Sequence, residues 1–326
     1  MVTNKSIEMR KIAIVSLFLS VLCSCQHDIV RDTHYNVTLD AENTYRAGEP
    51  VRFNIEGEVD NIVFYSGETG HQYKYKDRYS VPAEDVTSAV ISMDFQARYG
   101  AAGALEVWVS DSFEGLSGED GAADRQAVKS MYEGGMQGWT RLDYQEGAST
   151  KWTSQEFDLT DYVDNFCIAF HWNPKDFTTT QRTYWINGEL ALELEGAAPT
   201  VMDISELGFK TVMMNEEIED PYHKNAGNGS IILNNPNTAS LIFQGAGANS
   251  IAYALDGWAI STPSPLNKVA NDKPVVIKNI QNYLHTYEYT WTQPGTYTVT
   301  FVGTNESYMH SDSQVKEMTV TVLENL

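Results

Sequence analysis

The sequence is short of cysteine, of positive charge, of long apolar runs and of catalytic signatures, and each shortage excludes something. Only three of 326 residues are cysteine. Cys23 and Cys25 fall in the amino-terminal leader and Cys167 stands alone beyond it, so an internal disulfide is excluded. Cys167 alternates with Phe166 and Ile168 and reads as a small core hydrophobe. A catalytic thiol would need His171, four residues on and on the same face of a strand. Lys and Arg number 22 against 44 Asp and Glu, a formal charge of −22. Without residues 1–24, which carry Lys5, Arg10, Lys11 and Glu8, the charge becomes −24. That balance argues against nucleic acid and against adhesion to anionic lipid through a basic patch. It suits a domain held off a negative surface, and it suits divalent cations. No Gly-x-Ser-x-Gly elbow, His-Glu-x-x-His pair or phosphate loop occurs. Glu216, Glu217, Glu219 and Asp220 crowd into one run, whereas a glycosidase needs two carboxylates across a cleft. The expectation is a protein that is not an enzyme, with a glycoside hydrolase the least favoured alternative.

The longest apolar run, Ile12 to Leu22, has eleven residues. That is too short to span a bilayer and, behind Lys5, Arg10 and Lys11, fits a signal peptide over 1–24. Residues 25–38 are polar and aperiodic and read as a tether. Helical periodicity is nearly absent, and what is present is β-patterned. In Tyr287 to Val302, Tyr, Val and Phe alternate with Thr from Tyr297 on, which marks a half-buried strand. Gln293-Pro294-Gly295 reads as the corner of a hairpin. Glu317 to Leu323 adds one more alternating strand. Upstream, Tyr45 to Gly57, Asn61 to Gly67 and Gln72 to Tyr75 supply the strands that these few need in order to bury a core.

Between the two ends lie many short strands with turn signals. Val86 to Arg98, Ala104 to Phe113, Trp139 to Tyr144, Lys151 to Tyr162 and Phe166 to Trp172 are followed by Arg182 to Leu194, which contains an Asn187-Gly188 hairpin signal. Leu207 to Met214, Ser230 to Leu233, Ala239 to Phe243 and Ala252 to Ile260 complete the series. Gly115 to Gly138 is Gly-rich and charged and shows no strand pattern. Such a series means a β-sandwich.

Three resemblances carry the reading further. Leu22-Cys-Ser-Cys25 resembles a lipobox, with Cys25 as the acceptor of lipid. Ala47-Gly-Glu-Pro-Val-x-Phe53 and the closing Tyr287-x-Tyr with Pro294-Gly-x-Tyr-x-Val-x-Phe301 resemble the two ends of a polycystic-kidney-disease-type (PKD) immunoglobulin-like sandwich. The resemblance implies a discontinuous domain over 39–78 and 285–326, with 79–284 inserted. The insert, through Leu105-Glu-Val-Trp-Val-Ser110, Phe157-Asp-Leu-Thr-Asp-Tyr162, Cys167 to Trp172 and Leu255-Asp-Gly-Trp-Ala-Ile260, is similar to jelly-roll, galactose-binding-like domains. Such domains often bind carbohydrate and often hold a structural calcium. The whole pattern resembles lipoproteins of the Bacteroidetes type that carry a domain of unknown function.

The implied fold class is all-β, a PKD/Ig-like sandwich split by a jelly-roll sandwich. The implied function is non-catalytic carbohydrate binding at the outer membrane for a polysaccharide-uptake system of the starch-utilisation kind. The implied partners are a polysaccharide or oligosaccharide, an outer-membrane transporter and other glycan-binding lipoproteins. The alternative is a structural or adhesive cell-surface protein that binds another protein. Trp139 and Trp172, at loop–strand borders, and then Trp152 are the candidate stacking platforms for sugar, whereas Trp108, Trp185 and Trp291 read as core. For a structural calcium, Asp111, Glu114, Glu119, Asp120 and Asp124 form an acidic loop, and the resemblance adds Asp256.

Overall fold

The structure, a computed structural model, describes residues 30–40, 44–149, 151–174, 179–216, 229–235, 239–247 and 255–325. The signal peptide, Cys25 and the carboxylates Glu217, Glu219 and Asp220 lie outside the described residues. The described residues form two compact units, one of those up to 77 together with those from 272 onward, the other of those within 78–271.

In the first unit the chain begins with β1 (His34–Leu39), β2 (Thr44–Arg46), β3 (Pro50–Glu58) and β4 (Asn61–Tyr65). β1 overturns the tether reading for its residues. His34 and Asn36 are exposed while Tyr35 and Val37 are buried, an alternation too short to stand out from the polar stretch before it.

The second unit opens with β5 (Val86–Arg98) and β6 (Leu105–Ser110), then α1 (Gly121–Glu133), a helix in the segment that showed no strand pattern. It continues through β7 (Trp139–Leu142), β8 (Thr153–Asp158), β9 (Cys167–Trp172), β10 (Thr183–Leu194) and β11 (Thr200–Asp203). It ends with β12 (Lys210–Met213), β13 (Ser230–Asn235), β14 (Ala239–Gln244) and β15 (Gly257–Ile260). The chain then returns to the first unit with β16 (Val275–Lys278), β17 (Thr286–Thr290), β18 (Gly295–Glu306) and β19 (Ser311–Leu323). β16 pairs with β4, so residues 272–284, expected in the insert, belong with the first unit.

The first unit is a sandwich of a three-stranded sheet, β1-β3-β17, and a five-stranded sheet, β16-β4-β18-β19-β2, in which β2 runs parallel to β19. That arrangement is immunoglobulin-like. Phe53, Phe64, Trp291, Val299 and Phe301 fill its core. Gln293-Pro294-Gly295 is not the corner of a hairpin. β17 pairs with β3 in one sheet while β18 pairs with β4 and β19 in the other, so the turn carries the chain across the core.

The second unit is also a sandwich. One sheet runs β13-β14-β10-β5-β8 with β11 added at β10, and the other runs β12-β15-β9-β6-β7. Asn187-Gly188, a turn signal in the sequence, lies inside β10 and pairs with Asp94 and Met93 of β5. A Cβ on Gly188 would meet the Ser92 carbonyl at 2.8 Å and Ile204 at 2.9 Å, so the glycine serves close packing. Between the sheets lie Phe95, Val107, Ile168, Phe170, Trp172, Tyr184 and Phe243. Every residue of β9 is buried, because one face of the strand meets this core and the other is covered by α1. No helix among the described residues is long and apolar enough to cross a membrane.

Candidate functional site

The helix that the sequence left unmarked forms one side of a concavity of the second unit. Asp120 caps it, with Oδ1 accepting from the amides of Ala122 and Ala123 at 3.1 and 3.0 Å. Asp124, almost fully buried in the first turn, accepts from the amides of Ser117 and Gly118 at 2.8 and 2.7 Å. Arg125 ties the helix to the end of β12, its Nε donating to the Met213 carbonyl at 2.8 Å. Val128 and Met131 pack against Trp258, Ala169 and Val212 on the outer face of the five-stranded sheet. What remains open beside the helix is a cleft of about 550 Å³ lined by Arg125, Gln126, Lys129, Tyr132, Glu133, Met214, Glu216, Asp256 and Trp258.

Beside this cleft, buried against three of its lining residues, lies His171. Its Nε2 lies 2.8 Å from Asp256 Oδ1, and its ring stacks on Trp258 with centroids 4.1 Å apart and planes 8° apart. Nδ1 lies 3.5 Å from Glu106 Oε2, too far for a hydrogen bond, and has no other partner. Glu106 also faces Arg141 Nη1 at 3.6 Å and accepts from Trp108 Nε1 at 3.3 Å. Tyr132 stands edge-on to both rings, 4.8 Å from His171 and 5.6 Å from Trp258, and is 46 % exposed. Burial, then the carboxylates of Glu106 and Asp256, push its hydroxyl above the usual phenol value. The phenol therefore stays a protonated donor at neutral pH.

The aromatic candidates read from sequence fare differently. Trp172 has no exposed surface. It lies in the sandwich core with Nε1 donating to the Arg182 carbonyl at 3.2 Å, so it cannot be a platform. Trp139 is half-buried and packs on Phe113, 5.2 Å between centroids, beneath the end of α1. Trp152 is half-buried where the chain enters β8. Trp291 is fully buried, whereas Trp108 and Trp185 lie half-buried with Arg141 and Arg98 over their rings.

The proposed calcium ligands do not converge. Asp120 caps the helix, Asp124 binds backbone amides, Glu114 is exposed and Asp256 is committed to His171. The Asp111 carbonyl accepts from Asn165 while its side chain stays exposed. Among the described residues no three His, Cys, Asp or Glu side chains gather to hold a metal. Glu106 and Asp256 approach His171 at opposite nitrogens, so one ion could not bind all three. Cys167 is fully buried and its Sγ donates to the Ser261 carbonyl at 3.3 Å.

Sequence reasoning missed Tyr132, the His171–Asp256 pair and Glu106. One signal was present. A strand apolar on both faces, such as Phe166 to Trp172, needs cover on both sides, and the intervening Asp120-Gly-Ala-Ala opening is a capped helix start.

No curated protein and no solved structure matches this sequence. The sequence does match one family, described as a domain of unknown function (DUF5017), over residues 24–209. The matched span takes in β1 to β4 and the insert through β11, including Glu106, α1 and His171, and stops before Asp256 and Trp258. The match covers more than half of the chain, which is therefore a member of the DUF5017 family.

Proposed function

We propose that the chain is a non-catalytic, lipid-anchored glycan-binding protein of the outer membrane that serves a polysaccharide-uptake system. In this reading sugar binds in the cleft beside α1. The observation that carries it is Tyr132, an exposed ring braced edge-on by His171 and Trp258 beside the Asp256 carboxylate. A flat ring offers the apolar face of a pyranose a stacking surface, and carboxylates and amides such as Glu216 and Gln126 take its hydroxyls. The uptake role, the surface location and lipid at Cys25 rest on the leader and on the lipoprotein resemblance.

The test is affinity electrophoresis of the full chain through gels containing plant and host polysaccharides. Tyr132→Ala should cost about 1–3 kcal/mol, by analogy with interface aromatics, so retardation should weaken at least several-fold. If no polysaccharide retards the wild type, or if Tyr132→Ala migrates as the wild type does, the cleft reading is wrong. Reducing ends should not accumulate on incubation with a bound glycan; their release would make the protein a hydrolase.

A second reading, a structural or adhesive protein that binds another protein, is favoured by one observation. None of the seven tryptophans is exposed. Absence of retardation on every glycan would favour it.

A further inference from the structure

We propose that the immunoglobulin-like unit carries a second saccharide site, a groove of about 400 Å³ on the outer face of its five-stranded sheet, which takes a neutral sugar unit. The groove shares no residue with the α1 cleft. It grows out of the alternation that marks β18 in the sequence. Tyr297, Val299 and Phe301 enter the core, so Thr296, Thr298 and Thr300 form a row on the opposite face. β19 sets Glu317 directly across from Thr300.

A wall stands on this row. Gly67, at φ +81°, lets the turn that follows β4 press onto β18, and a Cβ there would lie 2.6 Å from the Thr298 carbonyl. The turn is closed by bonds from the Gly67 amide to the His71 carbonyl at 2.9 Å and from the His71 amide to the Glu68 carbonyl at 2.8 Å. It is anchored by the Gln72 amide, which donates to Asp272 Oδ2 at 2.8 Å. Tyr73 lies beyond it, held edge-on by Tyr65 at 5.3 Å and only partly covered.

At the floor, Thr300 is fully buried and its Oγ1 has no hydrogen-bond partner. A threonine kept at such a position gains nothing for the fold from its hydroxyl, since valine has the same shape and leaves no polar atom orphaned. Thr300 lines the groove, and its hydroxyl is explained if a ligand seated there turns it outward into a hydrogen bond. The groove's chemistry selects that ligand. Hydroxyls both donate and accept, as sugar hydroxyls do. The tyrosine ring supplies an apolar surface, and Lys74 and Glu317 at the rim are of opposite sign, so a charged ligand meets repulsion from one of them.

The test uses the full chain, as wild type, Thr300→Val, Tyr73→Ala and each of these combined with Tyr132→Ala. Retardation is measured in gels containing amylopectin, xyloglucan or galactomannan as neutral probes and polygalacturonate as the charged one, with thermal unfolding alongside. Thr300→Val should weaken retardation on a neutral glycan several-fold, in the wild type and in the Tyr132→Ala background alike, with Tm unchanged or raised. Tyr73→Ala should weaken it too. Retardation that survives both groove substitutions and vanishes with Tyr132→Ala overturns this site and leaves the cleft reading standing. Loss of retardation with a matching fall in Tm for Thr300→Val makes the hydroxyl structural and overturns the site as well. Equal retardation by polygalacturonate overturns the choice of a neutral sugar, and failure of all four probes to retard the wild type overturns both sites.

Discussion

Replacing Trp172 with Ala removes a ring with no accessible surface and strips the Arg182 carbonyl of its indole donor. The cavity and the orphaned carbonyl together should cost about 3–5 kcal/mol, measured by urea unfolding. A loss below about 1 kcal/mol would show that the site collapses or that the ring is not where the core needs it. The parity of the strand already held this answer. Trp172 is in phase with Ile168 and Phe170, four and two residues before it, and both are core. Nearness to the Asn173-Pro174 border says where a strand ends, not which face a residue takes. Tyr132 was hidden for a different reason. Its role depends on the helix beneath it, and a tyrosine in an unassigned stretch carries no orientation.

The same limit applies to whole elements. Alternation located most strands of both sandwiches, since period 2 is local and each face is strongly sorted. Turn signals did less well. Asn187-Gly188 and Pro294-Gly295 have the chemistry of tight turns, yet the first packs flat in β10 and the second crosses between sheets. Turn chemistry is local, whereas strand partners are fixed by contacts far away in sequence. The helix was the largest omission. Its outer face is polar, and the sheet side shows few apolar residues, Val128 and Met131 beside Tyr132, so little periodicity is visible. Its start depends on Asp120. Asp120→Ala should cost about 1 kcal/mol, because two backbone amides lose their acceptor. By loosening the first turn it should also weaken glycan retardation without touching Tyr132. Unchanged unfolding in urea would mean that water replaces the carboxylate at no cost.

For the molecule as a whole, buried phenols and a thiol set its alkaline limit. Burial pushes Tyr35 and Cys167 up to about 12, and burial followed by a hydrogen bond to Glu68 does the same for Tyr289. Tyr144 and Tyr184, buried in the second unit, are raised further still. Each holds its proton more tightly folded than unfolded, where the ordinary values are 9.0 for the thiol and 10.0 for a phenol. The stability they contribute is complete below those ordinary values and is lost as pH rises through the folded ones. Urea midpoints should therefore hold steady to about pH 9 and fall from there towards pH 12. A midpoint constant to pH 11 would contradict the burial of these groups.

The pairing of β4 with β18 has a consequence during synthesis. A chain emerging from the ribosome delivers β1 to β4 first, and their facing strands come only after all of the insert. Until residue 286 appears, β3 lacks β17, and Phe53 and Phe64 have no Phe301 or Trp291 to pack against. The insert carries its own core and is complete earlier, so it can fold while the first four strands wait with open edges. The last-made strands then close the earliest, and the interval between the two is when this protein is most open to mispairing and aggregation.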